Sequence, residues 1–203
     1  MRNYSKSSHY QLGKPRTFTR IMNREELLKF IEKRPSKAQV TGLCNSIAEQ
    51  NHELSDLIDL SFHTDKDLAF RASWILETIV VENPILILND LSYLISRISE
   101  VKHASCQRHY AKMMAYLTSP KMPIEIKQLV IKTDMEPTVE KCFDWMIDPI
   151  VLVAVKVFSA EALFNLLDRY AWISPELKEQ LEHLMKNGSA AIQSRGRKLL
   201  SQL

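Results

Sequence analysis

Four basic residues recur along the chain at a spacing that would place them in one row of a repeated structure. Arg71, Arg108, Lys156 and Arg195 are separated by 37, 48 and 39 residues, and each falls early in a segment with helical periodicity. A row of cations can bind phosphate groups or the carboxylates of an acidic peptide. The alternative is structural, with each side chain bonded to carbonyls or acids of neighbouring loops. We take these four residues as the candidate binding face.

Histidine and cysteine residues also occur at a spacing that could bind a metal ion. His103, Cys106 and His109 are each three residues apart, so on a helix they lie near one side. No fourth ligand stands out, whereas structural zinc sites have four. No GxSxG elbow or similar local signature marks a nucleophile. The sequence therefore predicts no catalytic, cofactor-binding or metal site, and it favours a protein that is not an enzyme.

The helices that must position these residues are organised around the segment from Asp65 to Pro84. Its periodicity predicts a helix that is apolar on most sides and is therefore covered on most sides. One apolar stripe comprises Leu68, Ala72, Ile75 and Ile79, and a second comprises Phe70, Trp74 and Val81. Thr64 or Asp65 can cap the start of this helix, and Pro84 ends it because proline has no N–H group.

Helical periodicity continues through the rest of the chain, and no segment alternates apolar and polar residues for long enough to predict a strand. Proline-containing and other turn-forming pairs separate the helical segments. The predicted helices span residues 24–33, 36–50, 52–62, 65–82, 85–99, 103–118, 123–132, 137–147, 150–171, 175–187 and 189–202. Short connections between them predict antiparallel hairpins.

Charge is unevenly distributed along the chain. Residues 1–21 carry five basic and no acidic residues, so the overall net charge of +3 leaves 22 basic and 24 acidic residues, or −2, in residues 22–203. A nearly neutral body gives no reason to expect a polyanionic partner. We expect residues 1–21 to be a disordered basic tail, with a basic arm for nucleic acid or a membrane as the functional alternative, and residues 22–203 to be a single domain. A small basic patch near the C-terminus is interpreted as a solvated end cap; it comprises Lys186, Arg195, Arg197 and Lys198.

Composition narrows the class of protein further. Four glycines in 203 residues argue against a β-rich fold with many tight turns. Three cysteines without a CxxC pair predict free thiols that are buried for packing, as in cytosolic proteins. No apolar run is long enough to cross a bilayer, and the N-terminus lacks the apolar core of a secretory signal. We expect an all-α, cytoplasmic protein.

An internal repeat can be superposed through four pairs of helices. The second helices of the pairs are LAFRASWILETI, ASCQRHYAKMMAYL, VAVKVFSAEALFNL and IQSRGRKLLSQL, and the first helices are LSDLIDLSF, LNDLSYLISRI, VEKCFDWMI and LKEQLEHLM. A two-helix unit of about 40–47 residues is typical of HEAT-type repeats. The pattern resembles the HEAT-like and armadillo-like families over residues 52–203, and residues 22–51 have the pattern of a further hairpin. The segment from Ser119 to Pro137 is an insertion.

The resemblance implies a right-handed α-α superhelix of stacked antiparallel hairpins, a HEAT-like solenoid whose concave face binds a protein or peptide. Neighbouring units of this family are often linked by a ladder of Asp and Arg residues. Asp65 and Arg71 have the spacing of that ladder. Lys102, Ile150 and Ser189 stand at the positions that correspond to Asp65.

Two further resemblances supply alternative functions. HEAT-like DNA alkylpurine glycosylases use aromatic residues and an acid, a role for which Trp74, Trp145, Trp172 and Asp144 are available. The segment TSPKMPIEIK at 118–127 is faintly similar to the catalytic loop of the fumarase and adenylosuccinate lyase superfamily, but it lacks that loop's glycine and its lysine after the proline. We expect a cofactor-free scaffold for a protein or peptide partner, with nucleic-acid binding and lyase activity as the alternatives. The oligomeric state stays open.

Overall fold

The computed structural model describes residues 22–50 and 53–203, and every regular element in these residues is a helix. This confirms the all-α prediction, whereas the predicted tail at 1–21 lies outside the described residues. The α-helices are α1 Arg24–Glu32, α2 Lys37–Gln50, α3 Ser55–Leu60, α4 Lys66–Glu82, α5 Leu91–Ser96, α6 Ala104–Leu117, α7 Ile124–Lys132, α8 Glu136–Ile147, α9 Val153–Asn165, α10 Ile173–Lys186 and α11 Ala190–Leu200. Short 3-10 turns at Pro84–Ile87 and Ile98–Glu100 flank α5.

The helices form two layers, as the stacked-hairpin prediction requires. The second helices of the hairpins pack in sequence, α2 on α4, α4 on α6, α6 on α9 and α9 on α11. The first helices α1, α3, α5 and α8 pack in a parallel series, and α10 covers α9 and α11. The inserted helix α7 rests on α6 and on the 3-10 turn at Pro84–Ile87. The right-handed sense of the superhelix stays a prediction.

Local chemistry sets the helix starts. The Asn23 side chain accepts a hydrogen bond from the backbone N–H of Glu26, and the Glu26 carboxylate accepts one from the Asn23 N–H at 3.0 Å. This reciprocal pair is a capping box, and it satisfies backbone donors that the first turn leaves free. Asp65 caps α4 by accepting from the N–H groups of Asp67 and Leu68. The N–H groups of Asp67 and Leu68 hold the pKa of Asp65 below its ordinary value.

The core is one cluster of buried side chains that extends from Leu27 to Leu199. The first apolar stripe of α4 lies inside this cluster, and its four members are at most 4% exposed. A continuous interior of this kind is what stacked hairpins need, because one hairpin cannot cover both sides of its own inner helix. The three cysteines are buried and unpaired, as predicted. Among the described residues, no helix has both the length and the apolar character that a membrane span requires.

The second stripe of α4 corrects a prediction. Phe70 is 42% exposed, and Trp74 and Val81 are only partly buried. Phe70 lies on the exposed side of the second-helix layer, where its ring packs against the His109 ring with centroids 5.1 Å apart. The helix is therefore not covered on every side, because its second stripe is partly exposed.

Two predicted helices are shorter than expected. The predicted helix at 85–99 is divided into two 3-10 turns and α5, and Asp90, which precedes α5, is diverted to another contact. The buried Asp90 carboxylate accepts from the Leu54 N–H at 2.8 Å, which links this segment to α3. The predicted helix at 150–171 is only α9. After α9 the chain turns, and Arg169 donates to the carbonyls of Val130 and Thr133 at the end of α7.

The turn between α10 and α11 gives a test of this packing. A Cβ added at Gly188 would lie 2.4 Å from the Leu184 carbonyl oxygen and 2.8 Å from a methyl carbon of Ile192. The carbonyl belongs to the backbone and cannot move aside cheaply, so Gly188→Ala is expected to cost about 1–3 kcal/mol of stability. Gly196→Ala is the comparison variant: the three atoms nearest its added Cβ, the closest at 2.4 Å, all belong to the Met185 side chain, which can move aside more easily than backbone. Urea unfolding should give a lower free energy of unfolding for Gly188→Ala than for Gly196→Ala. The reverse order would contradict the packing of this turn.

Candidate binding groove

The exposed side of the second-helix layer, which we call the open face, is built by parallel helices tied together near their C-terminal ends. The Tyr116 hydroxyl donates to the Val81 carbonyl at 3.1 Å, joining α6 to α4. The Asn165 amide donates to the Ala115 carbonyl at 3.1 Å, joining α9 to α6. Arg195 of α11 pairs with Glu161 of α9 at 3.3 Å. These hydrogen bonds and this ion pair fix the position of each helix along its neighbour, whereas apolar packing alone would allow the helices to slide.

A groove of about 660 Å³ lies on the open face across α6, α9 and α11. Its volume falls in the range of about 300–1,000 Å³ that is common for ligand pockets. The turn that follows α6 closes one end of the groove. The lining residues are Lys112, Ala115, Tyr116, Ser119, Pro120, Lys121, Met122, Phe158, Glu161, Phe164, Asn165, Arg195, Lys198, Leu199 and Gln202.

The groove combines aromatic rings with cations. Tyr116, Phe158 and Phe164 are half-buried, and each packs against the core while part of its surface faces the groove. Four cationic side chains line the groove, and Glu161 is the one carboxylate among the lining residues. Aromatic side chains at such sites supply large contact areas at low entropic cost. The arrangement can hold apolar side chains and favours a negatively charged ligand.

A buried polar network supports the groove from the side of α4. The Glu77 carboxylate bonds the His109 Nδ1 at 2.5 Å and the Lys112 ammonium at 2.5 Å, and both partners lie on α6. Burial alone would raise the pKa of Glu77, but these two hydrogen bonds outweigh it and hold the pKa below its ordinary value. Lys112 therefore has a fixed position at the edge of the groove. The network ties α4 to α6 with charge-assisted bonds.

The structure places the four residues of the predicted basic column in different environments. Arg108 is exposed on α6, one turn before Lys112, and Arg195 lines the groove. Arg71 is half-buried on α4, and its Nε has no hydrogen-bond partner in the described part of the chain. Lys156 is buried, and its ammonium donates to the Met146 carbonyl at 3.1 Å. The column is therefore not one continuous exposed row, because Lys156 points towards α8.

Burial lowers the pKa of Lys156, and the charge of Asp148 partly offsets this effect. The buried Lys156 ammonium links α9 to the end of α8 and is not accessible to a ligand. The groove-facing residues of α9 are instead Phe158, Glu161, Phe164 and Asn165. A difference of two positions on a helix rotates a side chain by about 200°, so Lys156 faces away from the side of α9 on which Phe158 lies.

The aromatic residues considered for a glycosylase-like site do not converge. Trp74 lies half-buried on α4 in the second-helix layer, whereas Trp145 is 2% exposed on α8 in the first-helix layer. Trp172 precedes α10 and stacks on Phe143 with ring centroids 5.8 Å apart. Asp144 is an exposed residue of α8. Trp145 and Asp144 line one pocket of about 480 Å³ at α8, but neither Trp74 nor Trp172 is among its lining residues.

The candidate metal ligands on α6 are also separated by their contacts. His109 is engaged by Glu77, and Cys106 is buried with the core. Across residues 22–50 and 53–203, no cluster of histidine, cysteine and acidic side chains could hold a metal ion. The partial lyase-like segment contributes Ser119 and Met122 to the closed end of the groove.

Sequence reasoning did not find the groove. Its residues come from positions far apart in the chain, from Lys112 to Gln202, and only Arg195 belonged to the predicted face. One signal was available: Phe158, Glu161 and Asn165 recur at helical spacing on α9 outside its core positions. A mixed aromatic and polar strip of this kind on an inner helix indicates a side without a covering helix.

Comparison with known proteins gives one match. The model of a family described as HEAT repeat domain matches residues 27–203. No curated protein and no solved structure matches the chain.

Proposed function

The chain belongs to the HEAT repeat domain family, and from that premise we propose that it is a non-catalytic scaffold that binds a protein or peptide in the groove on its open face. The two-layer architecture supplies a rigid helical-repeat scaffold. The groove across α6, α9 and α11 is the observation that carries the proposal. Within the family such a face is expected to be concave, which stays a prediction here.

Chemistry favours a peptide over a small metabolite as the occupant. The groove is lined by half-buried aromatic rings and long flexible cations, and the described residues hold no group of histidine, cysteine and acidic side chains that could bind a metal ion. Shallow apolar grooves with polar rims are typical of helix-in-groove and extended-peptide recognition. Of the predicted basic column, Arg195 belongs to this groove, and we propose that Arg108 and Arg71 extend the binding surface along α6 and α4.

Nucleic acid is the second candidate, and the number of available cations counts against it. Two of the four cations in the groove are already ion-paired, Lys112 with Glu77 and Arg195 with Glu161. Proteins that bind DNA through its backbone commonly make about 6–10 phosphate contacts. The net charge of −2 for residues 22–203 adds no long-range attraction. Any binding of a fluorescent oligonucleotide duplex at low salt is therefore expected to be unchanged when residues of the groove are substituted.

Selection from a phage-displayed library of random dodecapeptides tests the proposal. Peptides that bind the full chain are expected to lose binding when the groove is blocked. Blocking uses Gln202→Cys, an exposed position at the groove, labelled with a bulky maleimide. The native cysteines are buried, and burial raises the pKa of Cys44 to about 11 and that of Cys142 to about 12, so the introduced thiol reacts selectively.

The matched control is Glu179→Cys with the same label, because Glu179 is exposed on α10 in the first-helix layer. Selected peptides should bind this labelled control with unchanged affinity. A library that yields no binder, or binders that the Glu179 label blocks and the Gln202 label does not, would contradict the proposed function.

A further inference from the structure

The two cations at the rim of the groove are free to meet a ligand. Lys121 and Lys198 are exposed, and neither ammonium has a hydrogen bond or ion pair with any residue in the ranges 22–50 and 53–203. They come from different parts of the chain, one from the turn after α6 and one from α11. Their shared position on the groove is therefore a product of the fold.

The Glu161 carboxylate in the groove does not cancel the positive charge of Lys121 and Lys198. Glu161 accepts from Arg195 at 3.3 Å, so its charge is largely compensated inside the site. Glu77 is likewise compensated by Lys112 and His109 and lies beneath the surface. The net charge offered to a ligand is positive and is concentrated at the rim.

Apolar surface also lines the groove that holds these two lysines. Phe158 and Phe164 of α9 are half-buried and form the floor together with Tyr116 of α6. The Tyr116 hydroxyl donates a hydrogen bond to the Val81 carbonyl, so this polar atom already has a partner. Tyr116 therefore contributes its apolar ring to the groove. A floor of this kind gains most by covering a large apolar side chain.

We propose that the groove recognises an acidic peptide segment with a large apolar side chain: the apolar side chain lies on the floor of Tyr116, Phe158 and Phe164, and flanking carboxylates meet Lys121 and Lys198. This inference rests on the proposed function and specifies the chemistry of the partner. Charge complementarity between Lys121, Lys198 and the peptide carboxylates speeds association and gives specificity. Burial of the apolar side chain supplies most of the affinity. The residue of the basic column in this groove, Arg195, orients Glu161 and shapes one wall.

The dodecapeptides selected above test this inference by their composition and by charge reversal. The expected binders carry net negative charge and at least one large apolar residue. The double variant Lys121→Glu/Lys198→Glu is expected to weaken their Kd at least about tenfold, and added salt is expected to weaken binding to the wild type. Because both positions are exposed, the double variant should stay folded, with a small loss of stability of at most about 1 kcal/mol because Lys198 lies in the last turn of α11, where a carboxylate opposes the helix dipole.

The matched control is Lys178→Glu on the exposed side of α10, which should leave Kd unchanged. Groove-dependent peptides that are neutral or basic, or acidic peptides that the double variant binds as tightly as the wild type, would overturn the inference and leave the proposed function standing. A library without groove-dependent binders would overturn the proposed function itself. Binding of the oligonucleotide duplex with loss in the double variant would reassign the rim to nucleic acid.

Discussion

Tyr110→Ala is expected to lower the free energy of unfolding by about 3–5 kcal/mol. Tyr110 is fully buried on α6, and its ring packs against the Phe62 ring with centroids 5.5 Å apart. Its hydroxyl shares a hydrogen bond of 2.5 Å with the Ser61 hydroxyl at the end of α3. Truncation leaves a cavity where α6 meets the preceding hairpin, so both layers lose contacts at once. Guanidinium unfolding followed by circular dichroism measures the change.

Tyr110→Phe separates the ring from its hydroxyl. The ring and its packing remain, and Ser61 keeps its bond to the Ile58 carbonyl at 2.6 Å. This variant is expected to lose about 1 kcal/mol, the usual net contribution of one hydrogen bond. A loss below about 1 kcal/mol for Tyr110→Ala would show that the interface between these hairpins is not the continuous core described above.

Glu77→Ala is the second large effect, with an expected loss of about 3 kcal/mol. The substitution removes the shared partner of His109 and Lys112, and His109 is left 2% exposed without its hydrogen bond. Breaking a buried ion pair from one side usually costs about 3–5 kcal/mol, and the partial exposure of Lys112 reduces the cost here. Glu140→Ala, at an exposed position of α8, is the matched control and should change stability little.

The same network gives stability a defined pH dependence. The pKa of Glu77 is lower in the folded chain than its ordinary value of 4.5, because the bonds from His109 and Lys112 outweigh burial. The folded state therefore binds fewer protons than the unfolded state in this range, and stability rises with pH. The contribution of Glu77 is complete above about pH 4.5 and is lost as pH falls through the folded pKa.

Urea unfolding of the wild type and Glu77→Gln between pH 3 and pH 7 measures this contribution. The wild type should lose more stability on acidification than Glu77→Gln does, since the variant has no carboxyl to protonate at this position. Parallel profiles for the two proteins would show that Glu77 does not carry a lowered pKa.

The sequence predicted those features that depend on a few neighbouring residues. Asp65, one of the two predicted caps, starts α4 because its own side chain reaches the first turn, and Pro84 ends α4 because it cannot donate. The spacing of Leu68, Ala72, Ile75 and Ile79 predicted a buried stripe because helical geometry alone puts them on one side. The repeat followed from the same local signals recurring along the chain.

Features that depend on a second layer could not be predicted in the same way. Phe70 has the spacing of a buried residue, yet its exposure depends on whether any element covers the open face. Aspartate is usually a surface residue, yet Asp90 is buried in the core because its carboxylate accepts a hydrogen bond from the Leu54 N–H. Lys156 and Phe158 differ by two positions on α9, and only the packing of α9 against α8 decides which one faces the groove.

The groove itself is the clearest case of this limit. Lys121 and Lys198 are distant in sequence, and the small C-terminal basic patch gave Lys198 no distinct role. Their meeting depends on the insertion between α6 and α8, which places the turn after α6 beside α11. Hydrophobic periodicity cannot predict that the two lysines share one groove, because their shared position depends on how α6, α9 and α11 stack.

Photo-crosslinking of a selected dodecapeptide tests most directly the claim that the open face is the binding surface. The large apolar residue of the peptide is replaced by benzoylphenylalanine, and mass spectrometry locates the adducts on the chain. Adducts are expected on the groove floor, at Tyr116, Phe158, Phe164 or their immediate neighbours. Adducts confined to the first-helix layer, for example beside the exposed Trp172 and its neighbour Phe143, would contradict the account.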